Sequence, residues 1–251
     1  MALVDYLDEI TNAPSIEVLW DLHARKMADY GFTRVLYGYT SYRSATSLGD
    51  PDDFIILTNH DKEYTDWFLG KKMFYEAPMA KWALQNEGWM SWGVLRDMLE
   101  TGALSEAQMK ILEYNRKVGV TCGYTVSFKS VSPRSKGAIA LTGHPDMTQE
   151  EADAVWAEHG PDIVVMNNVA HLKILSLPYI SPERGLTKRQ LEALHWVGDG
   201  KTTADIALLM GLTPATVEKH LRLARDVLNV ETTAQAVLKA ALHNQMFVVA
   251  Y

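Results

Sequence analysis

The sequence predicts an α+β chain: an N-terminal α/β/α sandwich with an antiparallel sheet over residues 1–175, a linker over 176–185, and a C-terminal all-α, four-helix, helix-turn-helix domain over 186–251. Three observations carry that reading. In the first part the elements come in blocks of helices, strands, helices, strands and a helix, which suits one sheet with helices packed on it better than repeated parallel βα units. The stretch Ser176-Leu-Pro-Tyr-Ile-Ser-Pro-Glu-Arg-Gly185 holds two prolines and a glycine and marks the domain boundary. Beyond it the apolar residues recur at helical period, most plainly Val217, Leu221, Ala224 and Leu228 at i, i+4, i+7 and i+11.

Residues 2–12 and 15–30 read as helices, the second capped by Ser15 and ended by Gly31. Phe32-Thr-Arg-Val-Leu-Tyr-Gly-Tyr-Thr is β-branched and aromatic, so a strand is expected at 32–41, followed by a polar loop over 44–53 and a second strand at 54–58. Tyr64 and Phe68 stand four residues apart and share a helix face. Further helices are expected at about 78–86 and 93–101, and Ser105 caps another at 106–118 that Gly119 completes. Strands follow at 121–131 and 136–143, then a helix from about 148 to 175, bent near Gly160-Pro161.

In the C-terminal part, Thr202–Met210 is a short apolar helix and Gly211-Leu212 a turn. Thr213 then caps a helix that carries Pro214 at its first position, where the missing N–H costs nothing. Helix, glycine turn, polar-faced helix is the helix-turn-helix pattern, whose second helix enters the DNA major groove. On its exposed face Glu218, Lys219 and Arg222 suit base edges: Arg and Lys can bond guanine, and Glu can accept from cytosine. Lys201, Thr202, Thr203, Thr216 and Arg225 suit phosphate. The last helix, Thr232–His243, is expected to expose Ala236, Ala240 and Ala241 beside Val237 and Leu242, a small-residue face for another helix, although the Ala run equally suits intradomain core.

Composition narrows the classes. With 47% hydrophobic residues the chain can bury packed cores, and it has no run of about 18 apolar residues and no basic-then-apolar leader, so the expected compartment is the cytoplasm. The single Cys122 excludes an intrachain disulfide and a cysteine metal cage, and no metal site or cofactor is expected. A net charge of −7 argues against nucleic acid until it is divided: residues 1–175 hold 16 Lys and Arg against 24 Asp and Glu, whereas 186–251 hold 7 against 6. The C-terminal domain is therefore weakly basic, and dimerisation is expected to supply the rest of any DNA affinity. An enzyme is not expected, since His60-Asp61 and Gly143-His144 stand apart from any nucleophile or phosphate-loop motif.

Eight aromatic residues, Tyr64, Trp67, Phe68, Phe74, Tyr75, Trp82, Trp89 and Trp92, fall within 29 positions. Such a cluster forms either a hydrophobic core or, with polar groups beside it, a box for a small amphiphile. Tyr64 offers a hydroxyl, the Trp residues offer indole N–H groups, and Glu76 offers a carboxylate.

Leu186-Thr-Lys-Arg-Gln-Leu, Leu194, Gly200-Lys-Thr-Thr-Ala-Asp-Ile-Ala, Thr216-Val-Glu-Lys-His-Leu and Ala234-Gln-Ala-Val-Leu-Lys-Ala together resemble the four-helix DNA-binding domain of the LuxR family over about residues 184–247. Gln190 stands where the family usually has Glu, and Glu218 and Leu223 replace a usual Lys and Asn. The resemblance implies an N-terminal domain that binds an N-acyl homoserine lactone, with a Trp and a Tyr four residues apart, Asp-Pro, a Trp and a strand Gly. Those positions here are Tyr64, Phe68, Ala77-Pro78, Trp92 and Gly123. Ala77 lacks the carboxylate that would accept the ligand's amide N–H, unless Glu76 reaches in. The candidate ligand contacts are therefore Tyr64, Phe68, Tyr75, Glu76, Trp82, Trp92, Gly123, Thr125 and Ser127. The resemblance also implies a homodimer on a two-fold symmetric double-stranded DNA operator. A regulator that has lost ligand control is the alternative that Ala77 keeps open.

Overall fold

The computed structural model describes residues 2–130, 132–181 and 184–246. It divides into two compact units, one of residues up to 49 with 54–174, the other of 50–53 with the chain from 175 onward.

In the first unit β1 (Arg34–Thr40), β2 (Ile55–Thr58), β3 (Gly88–Ser91), β4 (Gly123–Ser127) and β5 (Lys136–Thr142) form one antiparallel sheet in the order β2-β1-β5-β4-β3. Because side chains alternate across a strand, each face is set by parity. Val35, Tyr37, Tyr124, Val126, Ile139 and Leu141 are buried under α1 (Leu3–Thr11), α2 (Ile16–Ala28) and α7 (Gln149–Ile174). Tyr37 Oη lies 2.8 Å from Nδ1 of His171, and Tyr124 stacks on Trp156 at 3.9 Å, fastening the sheet to α7. His23 joins the three helices: Tyr6 Oη is 2.6 Å from its Nδ1, and its Nε2 lies 3.2 Å from Asn167 Oδ1. Burial holds the His23 ring neutral, with its pKa lowered to about 4.

On the other face β1 and β5 present Leu36, Gly38, Ala138, Ala140 and Thr142. The small residues at the centre leave room above the sheet. That space is covered by α3 (Lys62–Thr65), a π-helical turn at Asp66–Gly70, α4 (Pro78–Gln85), α5 (Val94–Glu100) and α6 (Glu106–Lys117). The wide π turn sets Phe68 against Tyr64, their rings stacked at 5.4 Å.

Several sequence expectations change. The strand expected at 121–131 is confined to Gly123–Ser127, and residue 131 lies outside the described residues. Gly123, with φ 153°, sets its start: a Cβ there would collide with the Leu141 carbonyl oxygen, and the Gln149 side chain accepts its N–H. β3 was not expected; it is a four-residue edge strand with an exposed Trp89 and no clear alternation. The long helix is continuous from Gln149 to Ile174 through Pro161, as expected, and Pro161 faces solvent, where the carbonyl it leaves unbonded can be hydrated.

The second unit holds α8 (Lys188–Gly198), α9 (Thr203–Met210), α10 (Pro214–Leu228) and α11 (Thr233–Leu242). Thr187, Thr202 and Thr232 form capping boxes with Gln190, Asp205 and Gln235. Gly211 ends α9 in the left-handed conformation at φ 65°, and Thr213 accepts the Thr216 N–H to start α10. Leu194, Ile206, Val217, Leu221 and Leu228 make the core. The stripe on α10 is thus its buried side. Ala236 and Ala240 belong to the same core, which corrects the expectation that they form an exposed face: the open side of α11 carries Ala234, Leu238, Ala241 and Leu242. Of the linker, residues 182 and 183 lie outside the described residues, as do residues 247–251 of the C-terminal domain.

Candidate functional site

The space between the sheet and α3–α6 is a cavity of about 420 Å³. Its walls are mostly apolar: Leu36 and Ile56 from the sheet, Phe68, Leu69 and Phe74 from the segment after α3, and Met79, Leu84, Leu95, Leu99 and Ile111 from α4–α6. Among the described lining residues there is no Asp or Glu, while Arg96, Arg116 and Lys136 bring positive charge to its rim.

Four of the nine expected contacts line it: Tyr64, Phe68, Trp92 and Thr125. The Tyr64 ring lies between His60 at 4.5 Å and Phe68. Trp92 is held in place by its own bond, Nε1 donating to Thr125 Oγ1 at 2.9 Å. The other five are not among the lining residues. Tyr75 packs tilted against Phe74 at 4.2 Å, and Phe74 takes the lining position. Glu76 is bonded to Lys81 Nζ at 2.6 Å on the half-exposed outer side and does not substitute for a carboxylate at Ala77. Trp82 is not among the lining residues, which on α4 are Pro78, Met79, Ala80, Ala83 and Leu84. Gly123 acts through its backbone, as above. Ser127 is buried with its hydroxyl 2.7 Å from the carbonyl oxygens of Ala83 and Asn86, which ties α4 to β4. Ala77 itself does line the cavity, 7% exposed.

Sequence reasoning missed His60, Asn115 and Thr142, all of which line the cavity. Parity along β5 was the available signal for Thr142. Asn115 follows the lining residues Ile111 and Leu112 at helical period along α6, so spacing could have found it, whereas His60 lies between elements, where no period marks a facing. Burial keeps the His60 ring neutral, its pKa lowered to about 4, and the nearby Arg34 charge acts in the same direction.

In the second unit α10 presents Lys219 and Arg222 to solvent. Arg222 makes only an exposed i,i+4 pair with Asp226 at 3.0 Å, a weak commitment that a phosphate or guanine can displace. Glu218 is bonded by Arg225 at 3.2 Å, and Arg225 also donates to Thr233 Oγ1 at 2.8 Å, so that this arginine braces α10 against α11. Lys201 is exposed before α9. Thr202 and Thr203 begin that helix, Thr202 Oγ1 donating to Asp205 Oδ2, while Thr216 is bonded to Thr213 at 2.9 Å.

A family model described as an autoinducer binding domain matches residues 15–174, and one described as bacterial regulatory proteins of the luxR family matches residues 184–240. The chain belongs to the LuxR family of transcriptional regulators. It is similar to the transcriptional activator protein LuxR of Aliivibrio fischeri, 20% identical over 226 residues that cover 90% of this chain and 85% of that one. It is also similar to the transcriptional activator protein AnoR of Acinetobacter nosocomialis, 22% identical over 240 residues, 95% and 96% of the two chains. The solved structure of the N-acylhomoserine lactone dependent LuxR family transcription factor CepR2 from Burkholderia cenocepacia shares the fold, with a TM-score of 0.53 and 18% identity over 68% of this chain and 92% of that one.

This LuxR-family regulator thus combines an autoinducer-binding domain with a DNA-binding helix-turn-helix domain, and the family is one of transcriptional regulators, not enzymes. The cavity lies within the first domain, and α10 is the second helix of the helix-turn-helix. No helix among the described residues of the regulator is long and apolar enough to cross a membrane.

Proposed function

We propose that this regulator takes up a small amphiphilic signal, an N-acyl homoserine lactone, in the cavity of its first domain, and that occupancy sets how well a homodimer binds a two-fold symmetric operator in the cytoplasm. The observation that carries the reading is the cavity. At about 420 Å³ with apolar walls it falls within the size range of small-ligand sites, and a hole of this kind left empty costs stability. That cost favours ligand control over the ligand-independent alternative. The apolar strip from Leu36 to Leu99 suits an acyl chain, and the Tyr64 hydroxyl suits a carbonyl oxygen. The headgroup meets fewer polar partners than in the family's pattern, because Ala77 and Phe68 bring no polar atom.

At the DNA, Lys219 and Arg222 reach base edges, Glu218 serves there once Arg225 releases it, and Lys201, Thr202, Thr203, Thr216 and Arg225 meet the backbone. The open face of α11 with Leu238 and Leu242 suits pairing with a second copy. A ligand that binds only the folded, pairing-competent protein stabilises it by mass action.

Thermal unfolding of the full chain with lactones of short to long acyl chains tests the reading. A rise in melting temperature that grows with chain length to an optimum is expected; no shift with any of them contradicts it.

A further inference from the structure

One end of the cavity holds three polar atoms that the protein leaves without partners. Thr142 Oγ1, Asn115 Oδ1 and His60 Nδ1 are buried and make no hydrogen bond among the described residues, and all three residues line the cavity. Thr142 is 1% exposed. The three are gathered about Arg34, whose buried Nε likewise has no hydrogen-bond partner among the described residues. Thr142 is its register partner across β1 and β5. The Arg34 guanidinium donates to the carbonyl oxygens of Val118 and Gly119, just past the last turn of α6, where Asn115 stands. Asn59, next to His60, holds the backbone on either side of Arg34: it accepts from the Val35 N–H and donates to the Thr33 carbonyl oxygen.

Buried polar groups are almost always bonded, and an unmade bond is expensive. Three together on one wall of an otherwise apolar cavity point to a polar group on the ligand. The position is also distinct from the start of α4, where Ala77 offers nothing.

We propose that His60, Asn115 and Thr142 form a hydroxyl-recognising subsite, so that the signal is an acyl amphiphile with a hydroxyl on its chain. The assignment rests on the reading above that the cavity holds an acylated signal. A hydroxyl donates and accepts at once: it gives its proton to Asn115 Oδ1 and accepts from the Thr142 hydroxyl or a His60 N–H. An oxo group only accepts and leaves Asn115 unbonded, and a methylene leaves all three so. With no acidic lining residue, this wall offers no ion partner for an ammonium group. His60 is stacked on Tyr64 at 4.5 Å, so when Tyr64 donates to the amide carbonyl, the hydroxyl met by the subsite lies a few bonds along, as in a 3-hydroxyacyl chain.

The test is calorimetric titration of the full chain with N-decanoyl-homoserine lactone and its 3-oxo and 3-hydroxy forms, repeated on Thr142→Val and Asn115→Leu. The native protein is expected to bind the 3-hydroxy compound about tenfold to hundredfold more tightly than either other form. Each variant is expected to shrink that ratio to within about threefold. Thr142→Val is nearly isosteric, and an unchanged melting temperature without ligand shows that it folds. Equal binding of all three compounds by the native protein, or preference for the oxo form, overturns the subsite and leaves the lactone reading standing. Failure of all three to bind overturns the lactone reading and the subsite with it.

Discussion

Replacing Ala77 with Asp puts a carboxylate at the one lining position where the family's pattern has it. Ala77 is the residue before α4, extended at φ −61° and ψ 126°, with no side-chain cap and 7% exposure. Since Pro78 has no N–H, the new carboxylate would accept from the N–H groups of Met79 or Ala80, a cap worth about 0.5–2 kcal/mol. Burying the carboxylate at the cavity wall costs a similar amount, so the ligand-free melting temperature is expected to change little. With a lactone present, the carboxylate also accepts the ligand's amide N–H. A hydrogen bond to a charged group contributes about 1.5–3 kcal/mol, so affinity should rise about tenfold to hundredfold. Glu76 cannot already supply that bond, because Lys81 holds it on the outer side. Titration calorimetry on the native chain and on Ala77→Asp reads the difference. Equal or weaker binding by a variant that melts normally would show that the amide does not lie at the start of α4, and would refute the headgroup placement.

Arg222→Ala is expected to weaken operator binding by about 1–3 kcal/mol and to relax selectivity at one base pair in each half-site, read by fluorescence anisotropy on single-substitution operators; unchanged affinity removes Arg222 from base readout. Gly123→Ala must place a Cβ against the Leu141 carbonyl at φ 153°, so a loss of more than about 2 kcal/mol is expected in urea unfolding, and a near-neutral result would contradict the strand register there. Burial lowers His23, His60 and His171 from the ordinary 6.5 to about 4 each. The unfolded chain therefore takes up these protons first, and the stability they contribute is full above about pH 6.5 and declines as pH falls toward 4. The urea midpoint is expected to drop between pH 7 and pH 5 by the equivalent of on the order of several kcal/mol, and a flat profile would refute their burial as neutral rings.

Much of the helical architecture was legible because several helices carry their own start or stop: Ser15, Ser105 and Thr213 cap where the sequence places them, and Gly211 makes the turn of the helix-turn-helix. The edge strand at Gly88–Ser91 was not, since four residues exposed on one side show no period. The aromatic stretch located the cavity but not its lining. Which aromatic faces inward is decided by the π turn at Asp66–Gly70 and by Phe74, rather than Tyr75 packed against it, taking the lining position, neither of which leaves a mark in residue order. Spacing along α10 identified its buried stripe, yet spacing on α11 could not tell small residues that pack inward, Ala236 and Ala240, from those left open.

Native mass spectrometry of the protein purified from its own host, beside the same protein from a host that makes no lactones, tests the central claim most directly. A small molecule of hydroxyacyl lactone mass bound to the first sample and absent from the second is the expected result. A folded protein that is empty from both hosts, and that gains no melting temperature from added lactones, would contradict the account.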